Sequence, residues 1–145
     1  MRMKLLVGAA VLAVALGSAI TQVAADTPRQ EAMKEMGKNM KTIKEIVSAG
    51  GPAADVAGPA QKIAEIAAKI PGLFPQGSDM PDDEAKTDIW QNWDDFTTKA
   101  KALQDEAAML ASAAGGGDIA TVGAQFEKVG GSCGSCHKAY REQKN

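Results

Sequence analysis

Both cysteines and the sole histidine of this chain fall in one pentapeptide, Cys133-Gly134-Ser135-Cys136-His137. Two cysteines three apart, followed at once by histidine, have the spacing of a c-type haem attachment site. On a helix, positions i and i+3 share nearly one face. Two thiols so placed reach the two vinyl groups of one porphyrin, and His137 swings its imidazole under the iron. The rival chemistries fit less well. A structural zinc site needs four ligands, commonly in two clusters, and the chain has no second cluster. A thioredoxin-like pair expects a βαβ setting, and a disulfide here would close a very short loop. The expected cofactor is one covalently attached haem c.

Elements must carry this motif into an interior. No strand pattern stands out, and four segments with helical periodicity are separated by Gly- and Pro-rich breaks. The first spans about 28–49. Thr27 with Gln30 forms a capping box, and Pro28 suits the first helical position. Met33, Met36, Met40, Ile43 and Val47 make a heptad seam, which Gly50-Gly51-Pro52 stops. The second covers about 53–70, with Val56, Ile63, Ile66 and Ile70 on its apolar face. Gly58-Pro59 interrupts it, so its regular part is expected to start at Pro59. A long connection over 73–87 follows, at the upper end of usual loop lengths.

The third segment spans about 88–114 and repeats Phe96, Ala100, Leu103, Ala107, Leu110 and Ala114 before three glycines end it. The fourth starts at the N-cap Asp118 and runs to about Gln143. Its seam is Ile119, Val122, Phe126, Val129, Cys133, Cys136 and Tyr140, so both cysteines face the core. Gly130-Gly131 is costly inside a helix and suggests either a kink or a close approach of the flat ring. The expected fold is all-α, an antiparallel up-down-up-down four-helix bundle, with the haem near one end.

The topology ranks the methionines. His137 supplies one axial ligand, and no second histidine exists to supply the other. The start of the first helix lies beside the end of the fourth, as does the 73–87 connection. Met109 is then at the far end. Met40 lies roughly 10 Å up the axis from Met33 at about 1.5 Å per residue, and Met36 is nearer but one turn in. Met33 and Met80 remain, and Met33, on a rigid helix, needs less ordering than a loop methionine. Met33 is the expected distal ligand. The plain alternative is core filling.

Residues 1–25 read as an export signal, with Arg2 and Lys4, an apolar run from Leu5 to Ala19, and small residues Val23-Ala24-Ala25 before the cut. The run is short for a membrane span, which takes about 20 residues. Residues 26–145 then form a single haem domain in the periplasm, with no membrane contact after cleavage. Losing Arg2 and Lys4 moves the formal charge from −2 to −4. An acidic product argues against nucleic-acid binding, which needs a basic patch. Asp82-Asp83-Glu84 and Asp94-Asp95 read as solvated charges, and no acid–base cluster suggests an enzyme.

The chain resembles the class II c-type cytochromes, which include cytochrome c′ and the low-spin cytochrome c-556 group. The likeness rests on Arg29 followed by Met33, Gly37-Lys38-Asn39-Met40, Leu73-Phe74-Pro75, Ile89-Trp90 and Cys133-Gly134-Ser135-Cys136-His137-Lys138-Ala139-Tyr140-Arg141. It implies a periplasmic haem protein and a homodimer. It implies that the residue matching Arg29 meets a haem propionate and that Arg141 lies near the proximal histidine. In high-spin members the residue matching Met33 blocks the iron without binding it, and the protein binds nitric oxide or carbon monoxide and protects against nitric oxide. In low-spin members a methionine there binds iron and the protein carries electrons. The reading adopted from the sequence is a one-electron carrier with His137/Met33 ligation and an unknown redox partner. Its alternative is a five-coordinate cytochrome c′ binding a diatomic gas.

Overall fold

The computed structural model of the protein describes residues 26–79 and 84–143. The expected export signal and Met80 lie outside the described residues. Helix α1 runs Pro28–Ser48 and begins as its sequence dictates. Gln30 N–H donates to the Thr27 hydroxyl at 3.3 Å, and Thr27 N–H donates to the Gln30 side chain at 2.8 Å. Gly50, at φ 61°, ends it in the left-handed region, which only glycine enters freely.

The second segment starts earlier than Pro59. A 3₁₀ turn, Ala53–Val56, leads directly into α2, Ala57–Ala67. Pro59 is the third residue of α2, within the first turn, where a backbone N–H has no intrahelical partner to lose. The third segment divides in two, α3 over Asp88–Gln91 and α4 over Trp93–Gly115. Asn92 breaks it at φ −124°, ψ 47°. Its side-chain amide donates to the Asp88 carbonyl at 3.1 Å, the local competition with the helix ladder that asparagine favours.

Helix α5 spans Ile119–Tyr140, capped by Asp118, which accepts from the Ala120 and Thr121 N–H groups. It passes through Gly130-Gly131 as one continuous helix. It stops at Tyr140, short of Gln143, because the next residues are extended. Ala85 and Arg141 form an antiparallel bridge, Lys86 N–H donates to the Tyr140 carbonyl at 2.9 Å, and Glu142 N–H donates to the Glu84 carbonyl at 2.7 Å.

The four long helices α1, α2, α4 and α5 form the antiparallel bundle. Helix α4 packs closely on both α2 and α5, while α1 meets α5 more sparsely. Alternating Phe96, Ala100, Leu103, Ala107, Leu110 and Ala114 are all buried on α4. The alanines let the neighbouring backbones approach, and Ile63, Ile66 and Val129 fill the layers between. On the α5 seam Ile119, Phe126, Cys133 and Cys136 are half-buried, and beside Phe126 it is Gln125 that is buried. Gln125 Nε2 donates to the Glu106 carbonyl at 3.1 Å and to its carboxylate at 2.6 Å. A buried amide is tolerated because it is bonded.

Candidate haem site

The last turns of α5 present Cys133, Cys136 and His137, all half-buried, with both thiols free. Burial pushes both thiols up from their ordinary value, and at Cys136 the nearby Lys99 ammonium pulls the other way. Burial, then the Arg141 charge, holds the His137 imidazole below its ordinary value, against a smaller pull from Glu84. His137 is therefore neutral at pH 7, the form that ligates a metal.

These turns are fastened to α4. The Tyr140 hydroxyl donates to the Asp95 carboxylate at 2.5 Å, and Lys99 lies 3.7 Å from Asp95 and 3.4 Å from the Ser135 hydroxyl. Burial first, then Asp95, pushes the Tyr140 phenol up to about 12. On the outer side, His137, Arg141, Glu142 and Gln143 line a small cavity of about 230 Å³. Arg141 sits beside His137, is exposed, and pairs with Glu84 through both its Nε and Nη2.

The register between α1 and α5 places the residue across from His137. A side chain begun at Gly123 would meet Val47 Cγ1 at 3.3 Å, and one begun at Gly130 would meet Met40 Cε at 4.0 Å. Each step of seven forward along α5 is matched by seven back along α1. Continued by one more step of seven, the same register would bring Met33 across from His137. Met33 is half-buried against the core. Met36 points deeper and is only 6% exposed. Met40 belongs to the contact with Gly130, one step further from His137. Met109 is 50% exposed on α4, away from this end.

Arg29 is not a surface residue, being 7% exposed. Its guanidinium lies 4.7 Å over the Phe74 ring and donates to the Ser78 carbonyl. Phe74 packs edge-on against Phe96 at 5.0 Å, and Phe96 against Tyr140 at 5.4 Å. The start of α1, the connection after α2, the start of α4 and the end of α5 thus close around one aromatic cluster. Trp90 Nε1 fixes the connection by donating to the carbonyls of Phe74 at 3.1 Å and Pro75 at 3.0 Å. Sequence reasoning missed Asp95, Ser78 and the Trp90 clamp. Their partners lie on other elements, and no local spacing announces them.

The residues fit a haem. Two free thiols share a face, a neutral imidazole follows them, and Met33 on α1 packs against the core. A buried arginine stands at the same end, beside the Ser78 hydroxyl, which is buried with no hydrogen-bond partner.

Comparison with known proteins agrees. The family model described as Cytochrome C' matches residues 24–141. A cytochrome c′ of Pararhodospirillum photometricum is 37% identical over 116 residues, covering 79% of this chain and 93% of the relative. A cytochrome c-556 of Agrobacterium fabrum is 35% identical over 119 residues, covering 80% of each. Among solved structures, the cytochrome c′ of Thermochromatium tepidum aligns with a TM-score of 0.74 at 32% identity, covering 79% of this chain and 92% of that one. A nitric oxide complex of a variant cytochrome c prime from Alcaligenes xylosoxidans aligns at 0.72 and 30% identity, covering 80% and 91%. The cofactor of this chain is covalently bound haem c.

Proposed function

The chain belongs to the cytochrome c′ family, and from that premise we propose that it is a five-coordinate, high-spin haem protein that binds diatomic gases, nitric oxide and carbon monoxide among them. The bound haem supplies an iron able to take one electron or one small ligand. Cys133 and Cys136 hold the porphyrin as thioethers. His137, kept neutral by its burial, ligates the iron from α5. Met33 covers the opposite side from α1 and acts as a steric wall. The α1 backbone behind it is fixed by the Thr27/Gln30 box and by Arg29 on Ser78, so the wall stands at a constant height.

The observation that carries this reading is membership of a family whose solved members include nitric oxide and carbon monoxide complexes, supported by the α1–α5 register seen at Gly123 and Gly130, which extended one step brings Met33 across from His137. The protein acts in the periplasm after removal of residues 1–25, as a homodimer and without enzymatic turnover. No described helix is long and apolar enough to cross a membrane.

One observation favours a second reading. The residue opposite His137 is a methionine, whose thioether is itself an iron ligand, and relatives named cytochrome c-556 and c-554 match this chain. With Met33 bound, the protein is a low-spin one-electron carrier. Absorption spectra decide between the two. A broad high-spin Soret band that sharpens when the ferrous protein meets carbon monoxide supports the gas binder. A sharp low-spin α band indifferent to carbon monoxide, with a weak ferric methionine–iron charge-transfer band, replaces it with the carrier.

A further inference from the structure

The connection after α2 is built more tightly than its composition suggests. Ser78 N–H donates to the Pro75 carbonyl at 3.1 Å, and Gly77 between them has φ 75°. This is a turn whose third residue must be left-handed, hence the glycine. Trp90 grips the turn's first carbonyls and Arg29 its last. Ser78 is therefore held in place, and its hydroxyl points inward, buried, with no partner. A buried hydroxyl left unpaired is destabilising, and native proteins rarely leave one so. The turn holds the Ser78 backbone, and its hydroxyl is left as an unused donor that a group arriving after the chain has folded can take up.

The place says what arrives. Ser78 is bonded to the buried Arg29, one helical turn before Met33, at the end of the bundle where Cys133, Cys136 and His137 lie. The group that enters there is the haem, and its only strong hydrogen-bond acceptors are its two propionates. An uncharged donor beside a guanidinium, both out of water, makes an environment selective for a carboxylate.

We propose that Ser78 is a haem-propionate residue, its hydroxyl donating to one propionate beside the Arg29 guanidinium. It is a positioning residue that fixes the tilt of the ring and favours the ionised propionate. The proposal rests on the covalent haem and not on the coordination state of the iron, so it stands or falls separately from the gas-binding reading.

The test uses the mature holoprotein and the variants Ser78→Ala and Ser78→Thr. A donor to a carboxylate lowers its pKa. Protonating a propionate removes negative charge near the iron and raises the midpoint potential. The potential should therefore climb as pH falls through the propionate pKa. In Ser78→Ala that climb should come at a pH about one unit higher, and the propionate bending band in resonance Raman should shift. Ser78→Thr, which keeps the hydroxyl, should restore both. The Soret band and the haem-bearing mass serve as the check that each variant is loaded. A loaded Ser78→Ala protein with the wild-type potential–pH profile and Raman band overturns the proposal. So does a Ser78→Thr protein that matches Ser78→Ala.

Discussion

Replacing Met33 with alanine measures the distal wall. Helix α1 is continuous from Pro28 to Ser48 and tied at its start by its capping box. Its backbone at residue 33 does not retreat, so an incoming diatomic molecule must turn the methionine side chain. Driving one torsion about 30° off its well costs about 0.5–1.5 kcal/mol. Two torsions put about 1–3 kcal/mol on the association barrier. At about 1.4 kcal/mol per decade, that is about 5- to 150-fold in rate. Met33→Ala should therefore speed carbon monoxide association with the ferrous protein by that factor, read by flash photolysis. Met33 is half-buried, so the stability cost should be about 1–2 kcal/mol, below the 2–5 kcal/mol typical of a fully buried methionine.

Met36→Ala is the contrast. Met36 is 6% exposed in the core. Its loss should cost about 2–5 kcal/mol in denaturant unfolding and leave the association rate near wild type. The reasoning is refuted if both variants change the rate equally, or if Met33→Ala leaves it unchanged in a high-spin protein. A low-spin wild type that turns high-spin on Met33→Ala assigns the thioether to the iron instead.

The single tyrosine of the chain gives a clean titration. Tyr140 is held protonated up to about 12, while an unfolded tyrosine ionises near 10. Between these values the native state binds the extra proton, so stability should fall as pH rises through this window and be unaffected by Tyr140 below it. The loss should be up to about 3 kcal/mol, followed by tyrosinate absorbance and unfolding midpoints. A midpoint near 10 in the folded protein would mean that Tyr140 is neither buried nor bonded to Asp95. On α5, Gly130→Ala should stabilise by up to about 1 kcal/mol through helix propensity, since its new Cβ sits at an ordinary 4.0 Å from Met40. Gly123→Ala gains the same propensity but meets Val47 at 3.3 Å, so thermal unfolding should rank it below Gly130→Ala. The opposite order would deny the α1–α5 register. Gln125→Ala removes the interhelical hydrogen bonds to Glu106 and should lower unfolding stability by about 0.5–1.5 kcal/mol, with no change in the haem spectrum.

What the sequence disclosed follows from what is periodic in it. The α4 seam from Phe96 to Ala114 is buried residue for residue, because a step of three and four leaves no other face for those side chains. Thr27, Pro28, Gln30 and Asp118 act as their types require at helix starts. The breaks were less legible. Pro59 reads as a start but is carried in the first turn of α2, and Asn92 carries no warning inside an otherwise helical pattern. Gln125 shows the limit of a polarity pattern. It is buried only because Glu106, on another helix, offers two acceptors. The motif residues could be named because they are adjacent in the chain. Arg29, Phe74, Ser78, Trp90 and Asp95 come together from four elements, and only the folded chain joins them.

The same division explains how one helix serves two demands. Near its start α5 must let α1 come close, and near its end it must leave room between Met33 and His137 for a porphyrin. Glycine at 123 meets the first demand, because a side chain there would press on Val47 at 3.3 Å. Half-buried thiols and imidazole in place of core aliphatics meet the second. Gly123 lies about four turns from His137, yet it sets how closely α1 approaches α5, and α1 carries Met33. The spacing at the haem end is thus set in part by the absence of a side chain at a distance rather than by any contact with the ligand.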